Sequence, residues 1–362
     1  MRIGVVADVH LDSPFRWMPP DAARRRRLAL RDALTRAVDV AAADGCEVFC
    51  VAGDLYEHEM VGPDTGEFLR RCFEGTDMQV VLAPGNHDWY GPSSLYHRVD
   101  WSPNVHVFAG DRLAPHELAE GLTLWGAAHR APRGTHGFLD GFHVDRGGVN
   151  LAVFHGSEQG ALAAQGSDKE PHAPFTAQQV DVAGLDGAVC GHFHRPASGP
   201  RHAYPGNLEP LSFGDPVGGL LLVDVAGDGG LAFERRPMAE AHAHDLEVDV
   251  TGCGTVTDVR GRVRESLHGL SGVARVTLVG ELPPDVDVRP ADCEVADWLD
   301  AVVARTDRLR TAVDVRALAA APTVEGEFVR RVLAAGLGPD EEHRVLLTGL
   351  RALAGHADLD VA

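Results

Sequence analysis

The sequence predicts an α/β fold built around a largely parallel sheet. Short β-branched runs alternate with amphipathic helical segments through the first hundred residues. This alternation favours parallel strands joined by right-handed crossovers. Short polar motifs also follow directly where the apolar runs end. Because ligands collect at the carboxyl ends of parallel strands, we expect these motifs to form a single site.

The first half of the chain supplies the strands and helices in order. Strand-like runs at 2–7, 48–52 and 79–83 are separated by a helix over 21–44 and a shorter helix near 64–74. The longer helix places apolar residues at spacings of three and four on one face: Leu30, Leu34, Ala37, Val38 and Ala41. The three runs therefore predict a strand, helix, strand, helix, strand unit.

After residue 100 the spacing shortens and strands dominate. The strand candidates are 105–108, 122–125, 149–154, 187–190, 219–225 and 231–234. The segment 128–148 is rich in Gly, His and Arg and predicts a long surface loop.

A change in pattern near residue 237 predicts further domains. Residues 245–282 read as strand, helix, strand, and the pattern from 298 onward predicts helices, among them 324–335 and 341–354. We therefore divide the chain into a first domain over 1–237, a smaller α/β domain over 238–320 and a C-terminal helical segment over 321–362.

Composition limits the class of protein. The chain has 362 residues, 44% hydrophobic and 24% charged, which is typical of a soluble globular protein. It has no apolar run of the ~20 residues that a membrane helix needs and no visible signal peptide, so we expect a cytoplasmic protein that makes no membrane contact. The net charge of −20 argues against a nucleic-acid substrate, although a local basic strip can coexist with an acidic whole.

Five short motifs contain the candidate chemistry: DVH at 8–10, GD at 53–54, GNHD at 85–88, HG at 155–156 and GHFH at 191–194. Their mixture of carboxylate, carboxamide and imidazole ligands suits a pair of divalent metal ions. Two such ions a few ångströms apart activate water towards phosphate esters. We assign one ion to Asp8, His10 and His194, the other to Asn86, His155 and His192, and a bridging position to Asp54.

Other polar residues receive roles beside the ligands. His87 is not needed as a ligand and is predicted to protonate the leaving oxygen, with Asp88 orienting its ring. Arg24 and Arg25 open the first helix and are candidates for gripping phosphates, a solvated helix face being the alternative. The long loop offers three further candidates for substrate contact: Arg130, Arg133 and His136.

Longer segments extend these motifs: ADVHLDSPF at 7–15, GDLYE at 53–57, PGNHD at 84–88, FHGS at 154–157, GHFHRP at 191–196, YPGNLEPLSFGD at 204–215, TVEGEFVRRVL at 323–333 and LLTGLRALAG at 346–355. In these segments the chain resembles the calcineurin-like metallophosphoesterase superfamily. More narrowly, it resembles SbcD-type DNA-repair exonucleases and their YhaO-like relatives. The chain departs from that pattern at Glu57, where the exonucleases usually carry aspartate and some relatives histidine.

The resemblance implies a four-layer α/β/β/α sandwich with a smaller capping domain and a C-terminal helical tail. It also implies two metal ions, with manganese expected and iron or zinc as alternatives, held by the seven ligands assigned above, with His87 as the catalytic histidine. The implied substrate is DNA, and the implied partners are an SbcC-type coiled-coil ATPase, docked partly through C-terminal helices, and a second copy of the chain.

Two other functions compete with a DNA exonuclease. One is a phosphodiesterase or phosphatase of a small phosphoester, which the net charge favours. The other is a non-catalytic scaffold subunit of a coiled-coil ATPase complex, which the complete ligand set opposes.

Overall fold

The computed structural model describes residues 1–162, 171–283, 286–312 and 314–355. It divides into two compact units. The first is Met1–His244 with Ser271–Val273, and the second is Asp245–Leu270 with the chain from Ala274 onward. No helix in the described part of the chain is long and apolar enough to cross a membrane.

Two six-stranded sheets form the first unit. The first sheet contains, in spatial order, β12 (Leu231–Pro237), β11 (Gly219–Val225), β1 (Arg2–Val6), β2 (Val48–Val51), β3 (Gln79–Leu82) and β4 (Val105–Val107). Strands β1 to β4 are parallel, as the strand and helix alternation predicts, and β11 pairs antiparallel with β1.

The second sheet contains, in spatial order, β5 (Ala114–Ala119), β6 (Leu122–Gly126), β7 (Val149–His155), β8 (Gly187–Gly191), β10 (His202–Tyr204) and β9 (Ala197–Ser198). Its four central strands are parallel. Strands β5, β9 and β10 are absent from the sequence prediction because they are short or polar.

The two sheets pack face to face, and helices cover their outer faces. Alternate residues of both sheets, such as Val5 and Val153, share one buried apolar core. Helix α1 (Pro20–Ala43) packs on the first sheet and α2 (Thr65–Glu74) brings Phe73 against Phe49 of β2. Two further short helices are α3 (Leu95–Arg98) and α4 (Ala177–Val182); α4 joins the apolar layer on the outer face of the second sheet. The layers therefore follow the expected α/β/β/α order.

The second unit has a three-stranded sheet and a group of helices. The sheet has the order β13 (Ala243–Asp249), β14 (Val273–Leu282), β15 (Ala301–Thr311), and α5 (Val256–Ser266) packs on it. Helices α6 (Val315–Ala320), α7 (Val324–Ala334) and α8 (Pro339–Leu353) share a small core.

Strand β15 overturns the prediction that the chain is helical from residue 298 onward. Residues 301–311 contain two valines and two threonines, whose branched side chains favour extended backbone. A strand therefore replaces the helix predicted for this segment.

Two stacked histidines lie on edge strands of the two sheets, and they predict that the protein loses stability in acid. The rings of His106 on β4 and His116 on β5 stack at 3.9 Å and 12°. Burial, and then the charge of His116, lower the pKa of His106 to about 4. The folded protein therefore holds His106 neutral, whereas the unfolded chain takes up the proton below about pH 6.5.

We expect the His106→Phe variant to lose less stability on acidification than the wild type. Between about pH 7.5 and 5, the free energy of unfolding should fall by about 1 kcal/mol less in the variant than in the wild type, after discounting for the half-exposed ring. Urea unfolding of both proteins, in the presence of a chelator and at both pH values, measures these free energies. Equal pH dependence in the two proteins would contradict the prediction.

Candidate metal centre

The polar motifs lie in loops that run side by side at the carboxyl ends of the parallel strands. After β1 and β2 the two chains stay paired, because the amide of Asp8 donates to the carbonyl of Gly53 (3.1 Å) and that of His10 to Asp54 (2.9 Å). Asp8, His10 and Asp54 all have left-handed backbone, with φ of 52°, 51° and 52°. Such conformations are costly outside glycine and cluster at functional sites.

The predicted ligands converge at these loops. The ligand atoms of Asp8, His10 and His194 lie within 4.8 Å of one another, as do those of Asp8, Asp54 and His155. The structure therefore brings together the first predicted triple and places Asp54 beside it, with Asp8 common to both groups.

His155 presents one ring nitrogen to two oxygen atoms. Its Nδ1 lies 3.0 Å from the carbonyl of Ala52, an acceptor, so this nitrogen carries the proton of the neutral ring. Nε2 then faces Oδ1 of Asn86 at 3.0 Å and Oδ2 of Asp54 at 3.2 Å. With the ring neutral, three atoms with lone pairs meet there, an arrangement that a metal ion stabilises. Burial lowers the pKa of His155, but Asp54 outweighs it and raises the pKa, so that a proton takes this position when no metal is bound.

His192 lies in the same site through its backbone and its ring. Its amide nitrogen is 3.1 Å from both carboxylate oxygens of Asp8. Its ring centroid is 5.2 Å from that of His155. Asn86 and His192 therefore both neighbour His155, the third member of the second predicted triple.

His10 shows that the donor set fits a metal ion. Nδ1 of its ring lies 2.7 Å from Oε1 of Glu57. Within the described residues, the buried Nε2 has no hydrogen-bond partner, and Oδ2 of Asp54 lies 3.7 Å from it. A histidine held by a carboxylate through one nitrogen, with the other aimed at further carboxylates, is the usual arrangement of a metal ligand. Two divalent ions bound by this set would supply an acidified water and offset phosphate charge.

Comparison with known proteins identifies the family. The family described as calcineurin-like phosphoesterase matches residues 1–196, more than half of the chain. The chain belongs to the calcineurin-like phosphoesterase family. The chain is therefore a metal-dependent phosphoester hydrolase, which the Asp and His groups described above support.

Individual relatives of this phosphoesterase are distant. An uncharacterized metallophosphoesterase YhaO of Bacillus subtilis (strain 168) is 27% identical over an alignment of 286 residues, which covers 73% of this chain and 67% of the relative. A dimetal phosphatase from Danio rerio is 12% identical, with 66% of this chain and 96% of the other covered and a TM-score of 0.43. The protein TT1561 of Thermus thermophilus is 11% identical, with 65% and 98% covered and a TM-score of 0.37.

Glu57 contacts both His10, a predicted metal ligand, and His87, the predicted proton donor. Oε1 of Glu57 lies 2.7 Å from Nδ1 of His10, and Oε2 lies 2.9 Å from Nδ1 of His87. Burial raises the pKa of Glu57, but the two histidines outweigh it and lower the pKa to about 2. In the sequence, Glu57 stands out only as a departure from the family pattern and has no predicted role.

His87 is positioned to donate a proton. Burial lowers its pKa, but the hydrogen bond to Glu57 and the charge of Asp54 raise it to about 9. The side chain is 45% exposed, and the ring stands 4.7 Å from that of His10. Glu57 and Asp54 therefore favour the protonated ring, which is accessible from the cleft beside the predicted ligands.

Asp88 does not have its predicted role of orienting His87, because Glu57 holds that ring. Asp88 is fully buried and accepts four hydrogen bonds, from the amides of Asp54 (3.2 Å), Leu55 (2.6 Å) and Gly85 (2.6 Å) and the hydroxyl of Tyr96 (2.5 Å). It positions the backbone that carries the ligands instead.

Gly53 allows the ring of His155 to lie against the loop that carries Asp54. A Cβ at this position would overlap the imidazole of His155. Its φ of +87° is a conformation that other residues rarely adopt. Glycine is therefore needed here so that the ligand ring can pack against the loop.

Asp215, in the segment YPGNLEPLSFGD, contacts the predicted ligand His194. Oδ2 of Asp215 lies 3.5 Å from Nδ1 of His194. The same carboxylate accepts hydrogen bonds from the amides of Leu211 and Ser212, both at 3.0 Å, which fix its position. Burial raises the pKa of Asp215, but His194 outweighs it and the pKa falls to about 2.

We expect the Asp215→Asn variant to bind Mn²⁺ about 10–100-fold more weakly, since outer partners of ligating histidines have effects of this size. Calorimetric titration of metal-free protein measures the affinity. Asp181→Asn, which changes a surface ion pair with Arg201, is the matched control. Unchanged Mn²⁺ affinity in the Asp215 variant would remove this role.

A cleft of about 420 Å³ opens beside His87. Its lining includes Arg16, Glu57, Glu59, Asn86, Trp89 and Arg133. Of the loop candidates, Arg133 lines the cleft, whereas Arg130 donates to the carbonyl of Ala109 and lies over the ring of Tyr90.

The structure does not bring Arg24 and Arg25 to the cleft. Both are exposed on α1 and absent from the residues that line it. Their neighbour Arg26 is buried, and its Nη2 donates to the carbonyl of Pro210. Arg26 therefore supports the loop that carries Asp215, and Arg16 is the arginine of the N-terminal region that faces the cleft.

Proposed function

We propose that this phosphoesterase hydrolyses the phosphodiester bonds of DNA with two divalent metal ions, manganese being the expected metal, and that it acts as an exonuclease of the SbcD type. The observation that carries the proposal is the placement of His87. A carboxylate fixes this histidine beside the converged ligands, and its ring is accessible from the cleft. A diester needs such a donor because its departing sugar oxygen must take up a proton.

Each group in the site has a place in this reaction. Asp54 contacts both His155 and the amide of His87 (2.8 Å), so it links the ligands to the proton donor. Arg16 and Arg133 line the cleft and offer positive charge to phosphate oxygens. The bound ions would supply the nucleophile, and His87 would protonate the leaving oxygen.

The DNA substrate is supported by the segments HLDSPF and YPGNLEPLSFGD, which resemble the repair exonucleases more specifically than the metal motifs do. Both segments contribute to the site: His10 of the first lies with Asp8 and His194, and Asp215 of the second lies 3.5 Å from Nδ1 of His194. The net charge of −20 opposes DNA as the substrate.

A small phosphoester is the second candidate substrate, and the cleft itself favours it. Its volume of about 420 Å³ suits a nucleotide-sized ligand. Its lining carries Glu57 and Glu59 as well as the two arginines, so it is not a continuous basic strip.

A substrate panel tests the proposal. Protein loaded with Mn²⁺ is incubated with linear duplex, single-stranded and closed circular DNA and with an aryl phosphodiester, beside a chelated sample. Loss of linear DNA and persistence of circular DNA, in the loaded sample alone, supports an exonuclease. Cleavage of the aryl diester with all DNA intact would replace it by the small-ester activity.

The partners remain predictions. We propose that an SbcC-type coiled-coil ATPase and a second copy of the chain associate with the protein, and co-purification with crosslinking tests this. A loaded protein that hydrolyses neither DNA nor the aryl diester would favour the scaffold function.

A further inference from the structure

We propose that Trp89 and His58 form a stacking platform for a nucleobase in the cleft beside His87. This inference rests on the proposed nuclease function and adds a base-binding subsite to it. The platform consists of the rings of Trp89 and His58 and contains no predicted metal ligand.

The two rings are already stacked on each other. Their centroids are 4.2 Å apart and their planes differ by 28°. Trp89 is partly exposed and lines the cleft together with His87 and His58. An indole backed by another flat ring on one side, in a cleft beside a proton donor, suits a further planar group.

The platform is held rigidly from behind. Nε2 of His58 lies 3.1 Å from the hydroxyl of Ser93. The ring of Tyr56 lies 6.4 Å from His58 at 25°, and Tyr56 is fully buried, with its hydroxyl accepting from the amide of Leu95 (2.9 Å). A preorganised surface loses little conformational entropy when a ligand stacks on it.

Its position relative to the proton donor indicates which group it would bind. The amide of His58 donates to the carbonyl of His87 (3.0 Å), and Trp89 follows His87 by two residues. The platform is therefore fixed beside the predicted proton donor, where a nucleotide with its phosphate at the metal site can place its base.

The neighbouring charges fit a nucleotide. Arg16 and Arg133 line the same cleft and can contact phosphate, while the Trp89 ring contacts the base. A stacked base must first leave its partner strand, so the platform favours single-stranded or frayed ends over intact duplex.

Binding of a mononucleotide probe tests the platform. Calorimetry with Mn²⁺-loaded protein compares deoxyadenosine 5′-monophosphate with 2-deoxyribose 5-phosphate, which lacks the base. We expect the wild type to bind the nucleotide about 10-fold or more tightly, the size of one base–aromatic stack. Trp89→Ala should abolish the preference and Trp89→Phe should keep most of it. Trp298→Ala, at an exposed tryptophan of the second unit, should keep all of it.

Trp89→Leu covers the case in which the alanine variant does not fold, because it keeps apolar bulk and removes the aromatic face. A wild type without base preference, or a preference that survives both Trp89→Ala and Trp89→Leu, would overturn the platform.

Hydrolysis assays separate this inference from the proposed function. If the nucleotide preference depends on Trp89 while no DNA is cleaved, the platform stands and the nuclease falls. If DNA is cleaved with equal efficiency by the wild type and Trp89→Leu, on single strands and duplex alike, the nuclease stands and the platform falls.

Discussion

The Asp54→Asn variant is expected to lose at least about 1,000-fold in phosphodiesterase kcat and to bind at most one equivalent of metal tightly. Asp54 is buried, and its two oxygens contact the amide of His87 and the ring of His155. Replacing an outer partner of a metal ligand lowers metal affinity or activity about 10–100-fold. Asp54 is itself the predicted bridging ligand, so its loss should exceed that range.

Metal content after gel filtration and the rate on a diester substrate measure this prediction. Asparagine preserves the shape of the side chain, so the folded state should remain, and thermal unfolding of metal-free protein checks it. Asp224→Asn is the matched control, because that carboxylate pairs with Arg2 on the exposed part of the first sheet. An Asp54→Asn protein that is active and binds its full complement of metal would show that Asp54 does not bridge the two predicted ions.

The position of Asp54 could be predicted from the sequence because it depends on local patterns. The runs before Asp8 and Asp54 are short and apolar and alternate with helices, so their ends must meet at the same edge of the sheet. Asn86, His155 and His192 follow from the same reasoning at β3, β7 and β8.

The supporting contacts could not be predicted in this way, because they depend on how loops from distant parts of the chain approach one another. Glu57 reaches both His10 and His87 because its own loop pairs with the first one through the carbonyl of Leu11. Asp215 lies some twenty residues beyond His194 and meets it only through the fold of the intervening loop.

The buried position of Arg26 on α1 could have been predicted from its helical spacing. Arg26 lies four residues after Ala22 and four before Leu30, so helical spacing places it on the buried face. Arg24 and Arg25 fall outside that stripe and are exposed. Applying the same period to the whole helix would have assigned Arg26 to packing and removed its neighbours from the site.

The His87→Ala variant is expected to lose about 10²–10⁴-fold in kcat on DNA, the usual contribution of a general acid. Its loss on a nitrophenyl phosphodiester should be less than about 10-fold, because a nitrophenolate departs without a proton. Parallel measurement of both substrates with the same Mn²⁺-loaded protein tests this difference.

The metal content of the His87→Ala protein distinguishes proton donation from metal ligation. Nitrogen and carboxylate atoms of His10, Asp54 and His87 also lie within 4.8 Å of one another, so His87 could serve as a ligand on distance alone. A ligand role predicts loss of metal and equal losses on both substrates. The hydrogen bond from Nδ1 to Glu57 and the exposed position of the ring instead favour a donor, for which metal content stays unchanged and only the substrate with the poor leaving group suffers.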